Sequence, residues 1–247
     1  MVAGSAKKRL DVVLADRGMT NSRSQSESWI KLGKVTVDGK VATKPGLFVR
    51  DDAMIKLNAD VQYVSRAGLK LASVATVLHL QFKDKVVLDV GSSTGGFTDY
   101  TLKNGAKKVY AVDVGTDQLH PSLRGNRQIE LHEKTDIRDF YISHETPDII
   151  VIDVSFISLR EVLPHLVNHL SNKNTQVVAM VKPQFEAGKD QTNKGIIKND
   201  AVRRQILKDF EVWAKQYFVV VDKRDSDVAG AKGNQERFYL LRPLARR

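Results

Sequence analysis

The sequence predicts an α/β fold for most of the chain, preceded by a small α+β module. From about residue 66, short apolar segments alternate with helical ones; the apolar segments are KVVLDVG, KVYAVDVG, DIIVIDVS, QVVAMVKP and YFVVVDKR. This alternation is typical of βαβ units, which build a parallel sheet with helices on both faces. A final segment, ERFYLL, is predicted as the last strand. Ligands of such sheets bind beyond the carboxyl ends of the strands, where acidic residues and glycines are concentrated in this chain.

The N-terminal region follows a different pattern. The apolar spacing that begins at Leu10 predicts a short amphipathic helix, and SRSQSESWIKLG predicts a second helix. KVTVDGKVA predicts a hairpin that turns at Asp38 and Gly39. We place the boundary near YVSRAGLKL, which gives a small domain of residues 1–64 and a larger domain of residues 65–247.

Composition limits the function classes. The chain has 39 Lys and Arg residues and 29 Asp and Glu residues. The first 50 residues contain ten of the basic residues and only four of the acidic ones. A basic protein favours a polyanionic partner, either nucleic acid or an anionic membrane surface. The absence of cysteine excludes disulfides, thiolate metal sites and cysteine nucleophiles. Neither a signal peptide nor a run of about 18 apolar residues is present, so we expect a soluble cytoplasmic protein.

The strongest local motif is VVLDVGSSTGGFTDY. It predicts a buried strand that ends on Asp89, a glycine-rich loop and then the start of a helix. Glycines allow a ligand to approach the backbone and leave the helix amides free to bind it. An acid followed by this loop suits a ligand with an ammonium and a carboxylate, such as the methionine part of S-adenosylmethionine. The candidate residues are Asp89, Gly91, Ser92, Ser93, Gly95, Gly96, Phe97 and Thr98.

Two later segments extend this candidate site. Asp113 ends the next predicted strand and is followed by Val114 and Gly115, which fits an acid that binds the ribose hydroxyls of an adenosine. Asp136 and Ile137 offer a polar acceptor and an apolar wall for an adenine ring. The alternative is that these are ordinary turn glycines and strand-end acids.

Four charged residues form a second constellation. Asp153 ends the predicted strand IIVID, Lys182 follows VVAMV, Glu236 begins ERFYLL, and Lys70 lies in SRAGLKL. One edge of the sheet could therefore collect two ammonium groups and two carboxylates around a pocket. The alternative for each residue alone is a solvated charge at the mouth of a loop.

The basic N-terminal module predicts contact with RNA phosphates. The candidate residues lie at helix ends and at the entrance of the hairpin; they are Arg9, Arg17, Arg23, Lys31 and Lys34. Trp29 is the only aromatic residue in the first forty, which argues against a platform that stacks single-stranded bases. A merely solvated basic face is the alternative.

These motifs together resemble one family. RLDVVLADRGMTNSRSQSESWIKLGKVTVDG, YVSRAGLKL, LDVGSSTGGFTDY, DVSFISL, VKPQFEAG and GNQERFYLL are similar to the TlyA family, known both as hemolysin A and as ribosomal RNA 2′-O-methyltransferase. The resemblance covers nearly the whole chain. It implies a Rossmann-like, FtsJ-like, S-adenosylmethionine-dependent methyltransferase domain behind an RNA-binding module similar to that of a small-subunit ribosomal protein. Departures are slight: Ala67 stands where many relatives have Gly, and Ser26 where the module usually has Ala.

By this resemblance, Lys70, Asp153, Lys182 and Glu236 match the Lys-Asp-Lys-Glu tetrad of ribose 2′-O-methyltransferases. Lys182 is then expected as the general base, which requires its neutral form, and Asp153 is expected between it and the sulfonium centre. The expected substrate is ribosomal RNA or a ribosomal subunit, the expected cofactor is S-adenosylmethionine, and no metal is expected. The alternatives are a membrane-active hemolysin, an RNA-binding protein with a degenerate methyltransferase domain, and a pseudouridine synthase. The last is considered because the segment Arg9-Leu10-Asp11 superficially resembles the catalytic motif of pseudouridine synthases.

Overall fold

Two helices and five short strands form the N-terminal module in the computed structural model, which describes residues 7–20, 22–31, 33–58, 63–188, 192, 195–230 and 233–244. The elements are β1 (Lys8–Arg9), α1 (Leu10–Asp16), α2 (Arg23–Lys31), β2 (Val35–Val37), β3 (Lys40–Ala42), β4 (Phe48–Val49) and β5 (Ile55–Leu57). Strand β2 pairs antiparallel with β3 and β5, and β1 pairs with β4. The hairpin between β2 and β3 turns at Asp38 and Gly39, which have φ values of 50° and 81°. Both predicted helices and the hairpin are confirmed.

A seven-stranded sheet forms the larger domain. Its strands are β6 (Val86–Val90), β7 (Lys108–Val112), β8 (Ile129–His132), β9 (Ile149–Ile152), β10 (Gln176–Val181), β11 (Phe218–Asp225) and β12 (Arg237–Pro243). The order is β11-β12-β10-β9-β6-β7-β8, and all pairs among β6 to β10 are parallel. Strand β12 is antiparallel to both β10 and β11. The predicted parallel sheet is therefore confirmed in its centre, with one reversed strand near the edge.

Helices cover both faces of this sheet. They are α3 (Arg66–Ala75), α4 (Gly96–Lys103), α5 (Leu159–His165), α6 (Pro183–Glu186) and α7 (Asp200–Ala214), with a π-helical turn over Leu166–Leu170. Because successive strand side chains point to opposite faces, Val87 and Val151 pack with α3 and α4, whereas Leu88 and Ile150 pack with α5 and α7. The N-terminal module shares the α3 and α4 face.

A buried carboxylate organises the N-terminal module. Asp11 is fully buried in α1, and its two oxygens accept hydrogen bonds from Arg9 Nε at 3.0 Å and Arg9 Nη2 at 2.8 Å. Arg23 Nε of α2 donates to the same carboxylate at 2.9 Å. Burial alone would raise the pKa of Asp11, but the two guanidinium groups outweigh it and lower the pKa to about 2. The buried Asp11 is thus a structural anion, and a catalytic role like that in pseudouridine synthases does not fit this environment.

We expect Asp11→Asn to lower the free energy of unfolding by about 2 kcal/mol at pH 7, because the ionised form of Asp11 is favoured in the folded protein. The folded pKa lies below the unfolded value of about 3.9, so this stabilisation is present above pH 4 and is lost as the pH falls towards 2. Urea unfolding at pH 7, 5 and 3 measures the difference. Asp16→Asn, at an exposed acid of the same helix, is the control; equal destabilisation by both variants would contradict the assignment.

Candidate active site

The four charged residues of the predicted constellation form two ion pairs. Lys182 directly follows β10, and its Nζ lies 2.6 Å from Oδ1 of Asp153, which follows β9. Lys70 extends from α3, and its Nζ lies 2.5 Å from Oε2 of Glu236. The exposed fractions of these side chains are 10% and 15% in the first pair and 7% and 3% in the second. The charges are therefore paired and mostly buried, which differs from the alternative of solvated charges at loop mouths.

The register of the sheet brings the two pairs together. The last rung of the ladder between β10 and β12 joins Val181 to Arg237. Lys182 directly follows Val181 and Glu236 directly precedes Arg237, so both residues lie at the end of this ladder. The carboxyl end of β10 and the amino end of β12 thus hold both pairs at one edge of the sheet.

Ser155 is a third partner at this edge. Lys182 Nζ donates a hydrogen bond to Ser155 Oγ at 2.7 Å, in addition to its contact with Asp153. Sequence reasoning did not single out this serine, although it lies two residues after Asp153 in the motif DVS. Together the carboxylate and the hydroxyl fix the position of the lysine nitrogen.

A cavity of about 130 Å³ opens beside Lys182. Asp153, Ser155 and Lys182 line it together with five residues predicted from the glycine-rich loop, which are Asp89, Gly91, Ser92, Ser93 and Phe97. Ala67 and Thr94 complete the wall and were not predicted as site residues. The predicted acid, the loop and the lysine edge therefore surround one space.

Asp89 is the unbalanced charge of this cavity. It is fully buried, and Thr98 Oγ1 donates to its Oδ2 at 2.7 Å. Its Oδ1 is buried without a hydrogen-bond partner among the described residues. Burial raises the pKa of Asp89 to about 7, assisted by the charge of Asp153 and opposed by the hydrogen bond from Thr98. An oxygen left in this state suits a cationic N–H donor, such as the ammonium of S-adenosylmethionine.

A second cavity of about 360 Å³ adjoins the first and shares Gly91, Ser93, Asp153 and Ser155 with it. The predicted residues Asp113, Val114, Asp136 and Ile137 line it. Further lining residues are Val90, Val112, Gln118, Thr135, Val154, Phe156, Ile157 and Val162. Carboxylates beside an apolar wall fit a ribose and an adenine ring.

Asp113 accepts hydrogen bonds from two backbone amides at this cavity. Its Oδ2 accepts a hydrogen bond from the Ser93 amide at 2.8 Å, and its Oδ1 accepts one from the Gly115 amide at 2.7 Å. Each carboxylate oxygen can accept a second hydrogen bond, which leaves capacity for ribose hydroxyls. Asp136 is held by Arg138, whose Nη2 lies 2.6 Å from Oδ2, and this pair lowers the pKa of Asp136 despite partial burial.

Four predicted cofactor residues lie outside both cavity walls: Gly95, Gly96, Thr98 and Gly115. A Cβ on Gly95 would lie 2.5 Å from Leu123 Cδ1, and one on Gly96 would lie 2.7 Å from Ala67 Cβ. These two glycines allow close packing of the protein chain, and a contact of their backbone with a ligand stays a prediction. Thr98 and Gly115 act through Asp89 and Asp113, to which they donate hydrogen bonds.

Phe156 is the most exposed aromatic residue among those that line the site. Its side chain is 92% exposed, and its φ of 67° is unusual for a residue other than glycine. Its ring centroid lies 5.2 Å from that of Phe185, whose ring in turn lies 5.9 Å from Lys182 Nζ. The ring lines the second cavity, and its exposure excludes packing in the core.

The predicted RNA-binding residues divide into two groups. Arg9 and Arg23 are held by Asp11, and Arg17 donates to the carbonyl oxygens of Ala53 at 3.1 Å and Asp51 at 2.7 Å. Lys31 and Lys34 are exposed. The side chains of Arg9 and Arg23 remain 41% and 54% exposed, so their outer N–H groups can still reach a phosphate.

Comparison with known proteins agrees with this architecture. Residues 63–242 match the FtsJ-like methyltransferases, and residues 8–55 match the S4 domain. Hemolysin A of Brachyspira hyodysenteriae is 40% identical over 233 residues, which cover 92% of this chain and 97% of that protein. The 16S/23S rRNA (cytidine-2′-O)-methyltransferase TlyA of Mycobacterium tuberculosis is 36% identical over 247 residues, which cover 96% of this chain and 90% of that protein. A solved structure of a candidate hemolysin from Streptococcus thermophilus is 37% identical in sequence and has a TM-score of 0.72. The match covers 98% of this chain and 90% of that chain.

The matched segments contain both the N-terminal module and all four residues of the two ion pairs. The protein therefore belongs to the FtsJ-like methyltransferases and, within them, to the TlyA family.

Proposed function

We propose that this protein transfers a methyl group from S-adenosylmethionine to the 2′-hydroxyl of a cytidine ribose in ribosomal RNA. The observation that carries the proposal is one shared space: Lys182 and Asp153 line the same cavity as Asp89, whose buried Oδ1 has no partner among the described residues. The named activity of the Mycobacterium tuberculosis relative supports the same reaction. The family to which the chain belongs supports the methyl donor.

Different residues of the two cavities would bind different parts of the cofactor. Asp89 would accept a hydrogen bond from its ammonium, Asp113 would bind its ribose, and Asp136 with Ile137 would bind its adenine. When bound, S-adenosylmethionine supplies an electrophilic methyl group on a sulfonium. Asp153 lines both cavities, so its carboxylate faces the cofactor on one side and Lys182 on the other.

Lys182 removes the proton of the 2′-hydroxyl in this proposal. An ammonium cannot accept a proton, so Lys182 must lose one before it acts. Ser155 can hold the neutral nitrogen in place because a hydroxyl donates as well as accepts. The neighbouring pair of Lys70 and Glu236 is fixed by its own contact and offers a donor and an acceptor that orient the ribose.

The S4 domain supplies RNA affinity. Arg9, Arg17, Arg23, Lys31 and Lys34 form its basic contribution, and phosphate contacts of this kind position an RNA without reading its sequence. With ribosomal RNA as the substrate, the proposed location is the cytoplasm. One relative carries the name hemolysin A; among the described helices, none combines the length and hydropathy that a bilayer crossing needs. No observation in the described residues favours a lytic activity over methyl transfer.

Lys182→Ala should reduce methyl transfer by about 10²- to 10⁴-fold, the usual contribution of a general base, and should leave S-adenosylmethionine affinity unchanged. Transfer of labelled methyl to each ribosomal subunit, with the modified nucleotide mapped, measures the first effect, and calorimetry measures the second. Lys173→Ala, at an exposed lysine before β10, is the control. Nearly intact transfer by Lys182→Ala would refute the base assignment, and no transfer by the wild type to any RNA would refute the proposed function.

Cofactor affinity should fall below pH 7, by up to about tenfold per unit, because the pKa of Asp89 is about 7 and its protonated form cannot pair with an ammonium. Calorimetry at pH 7.5, 6.5 and 5.5 measures this, and binding at the lower values should release a proton. Asp89→Asn should bind more weakly at pH 7.5 and lose the pH dependence. A wild-type affinity that is constant across this range would contradict the role of Asp89.

The same pKa has a second consequence in the protein without cofactor. Because the folded pKa of Asp89 is raised above its unfolded value, its contribution to stability is present below about pH 4 and is lost as the pH rises through 7. Asp89→Asn should therefore gain melting temperature relative to the wild type between pH 5 and 8. A constant difference over this range would show that the carboxyl does not titrate there.

Phe156→Ala should reduce kcat/KM for RNA by about 5- to 150-fold, which corresponds to the loss of one base stacked on an aromatic ring at about 1–3 kcal/mol. Its melting temperature should not fall, because the ring is 92% exposed. Steady-state methyl transfer with varied RNA measures the effect. Tyr141→Ala, at an aromatic residue that is 61% exposed elsewhere, is the control, and equal losses in both variants would contradict a specific contact.

A further inference from the structure

A groove of about 350 Å³ lies between α7 and the strands β11 and β12. Its floor is formed by Leu207, Val212 and Tyr239. Five cations and one anion line it: Arg204, Lys208, Lys215, Lys223, Arg237 and Glu211. The groove belongs neither to the two cofactor cavities nor to the S4 domain, and the reaction described above makes no use of it.

The charge of the whole sequence sets this groove apart. Residues 51–195 contain 17 Lys and Arg against 18 Asp and Glu, so most of the methyltransferase domain is neutral. Residues 196–247 contain twelve Lys and Arg residues and seven Asp and Glu residues. The positive charge outside the N-terminal module is therefore concentrated in the C-terminal segment that builds the groove.

Ion pairs inside the groove leave its positive charge in excess. Glu211 accepts from Lys215 at 3.1 Å and from Lys223 at 2.5 Å, and Arg237 pairs with Asp225 at 2.5 Å. Arg204 and Lys208 have no ion-pair partner in the described part of the chain, and both are exposed. Arg204 and Lys208 lie on one face of α7 without an ion-pair partner among the described residues, next to cations held by Glu211 and Asp225. Together they form a surface that can bind an anion.

The shape of this cationic surface fits a chain of anions. Arg204, Lys208 and Lys215 recur on one face of α7 and span about 16 Å at 1.5 Å per residue, enough for several successive phosphates. Arg237 directly follows Glu236 of the second ion pair, so the groove begins at the edge of the sheet that carries the active site. Tyr239 is the one aromatic residue of the wall and is fully buried, which leaves no ring for base stacking.

We infer that the groove between α7 and strands β11 and β12 binds the phosphate backbone of the RNA substrate next to the methylated nucleotide. The inference rests on the proposed function and extends it to a second RNA-binding surface, separate from the S4 domain. Contacts through phosphates are independent of sequence and weaken steeply with salt.

The test compares the full-length wild type with Arg204→Glu/Lys208→Glu. Affinity for purified ribosomal RNA is measured between 50 and 300 mM KCl. The variant should bind about tenfold more weakly at 0.1 M salt, and the slope of log K against log salt should decrease by about 1.4–1.8, as expected for two lost phosphate contacts. Its KM for RNA should rise, while kcat at saturating RNA and affinity for S-adenosylmethionine should not change. Arg204→Gln/Lys208→Gln should show an intermediate loss and checks that the reversed charges have not disturbed the fold.

Lys83→Glu/Lys107→Glu is the matched control, because both lysines are exposed and precede β6 and β7 in the neutral part of the domain. An unchanged affinity and salt slope in the groove variant, or an equal loss in the control, would overturn the inference. Binding to vesicles with 30% phosphatidylserine is measured in parallel, and a loss confined to vesicles would also overturn it. If the wild type binds RNA but transfers no methyl group, the proposed function fails, whereas a groove-specific loss of RNA binding would still support this surface.

Discussion

The close approach of α3 to the first turn of α4 is the constraint on which both halves of the active site depend. A Cβ on Gly96 would lie 2.8 Å from the Gly68 nitrogen, and one on Gly68 would lie 2.9 Å from the Gly96 oxygen. Two missing side chains therefore allow the helices to touch through their backbones. Helix α4 follows directly on the glycine-rich loop, and α3 carries Lys70 two residues beyond Gly68. This single contact fixes the loop relative to the lysine, and any side chain at either glycine would separate them.

The charges held by this arrangement are hard to explain by stability alone. Burial of an ion pair costs desolvation energy, and apolar residues of similar volume often stabilise a fold as well or better. Lys70 and Glu236 are almost fully buried, and Asp89 is buried with one oxygen that no described residue satisfies. Perturbed and incompletely satisfied groups in a cavity are typical of functional sites. The wall of the first cavity therefore combines one neutralised pair, Lys182 with Asp153, and an unbalanced acid, Asp89, where a cationic ligand would bind.

Sequence reasoning succeeded where burial is uniform. Strands β6, β9 and β10 were predicted because both of their faces are covered, which leaves continuous apolar runs. Strand β8 was missed because IELH lies at an edge of the sheet and is only partly buried. The packing function of Gly95 and Gly96 was missed for a different reason: close packing against protein and close approach of a ligand both require glycine, and the sequence does not distinguish them. The pairing of Lys70 with Glu236 depends on the register of β10 and β12, which no local pattern encodes.

The two basic regions flank the active-site edge from opposite faces of the sheet. The S4 domain packs on the face that carries α3 and α4, and residues of the groove, Leu207 and Tyr239, belong to the core of the other face. Two successive contacts link the S4 domain to this face: Gln25 Nε2 donates to the Tyr63 oxygen at 2.6 Å, and the amide of the adjacent Val64 donates to Asp99 of α4 at 2.9 Å. The segment between the two regions, residues 51–195, is nearly neutral, so the two basic regions are the surfaces that attract an RNA backbone. Charge placement would then orient the substrate over Lys182 before any base is recognised.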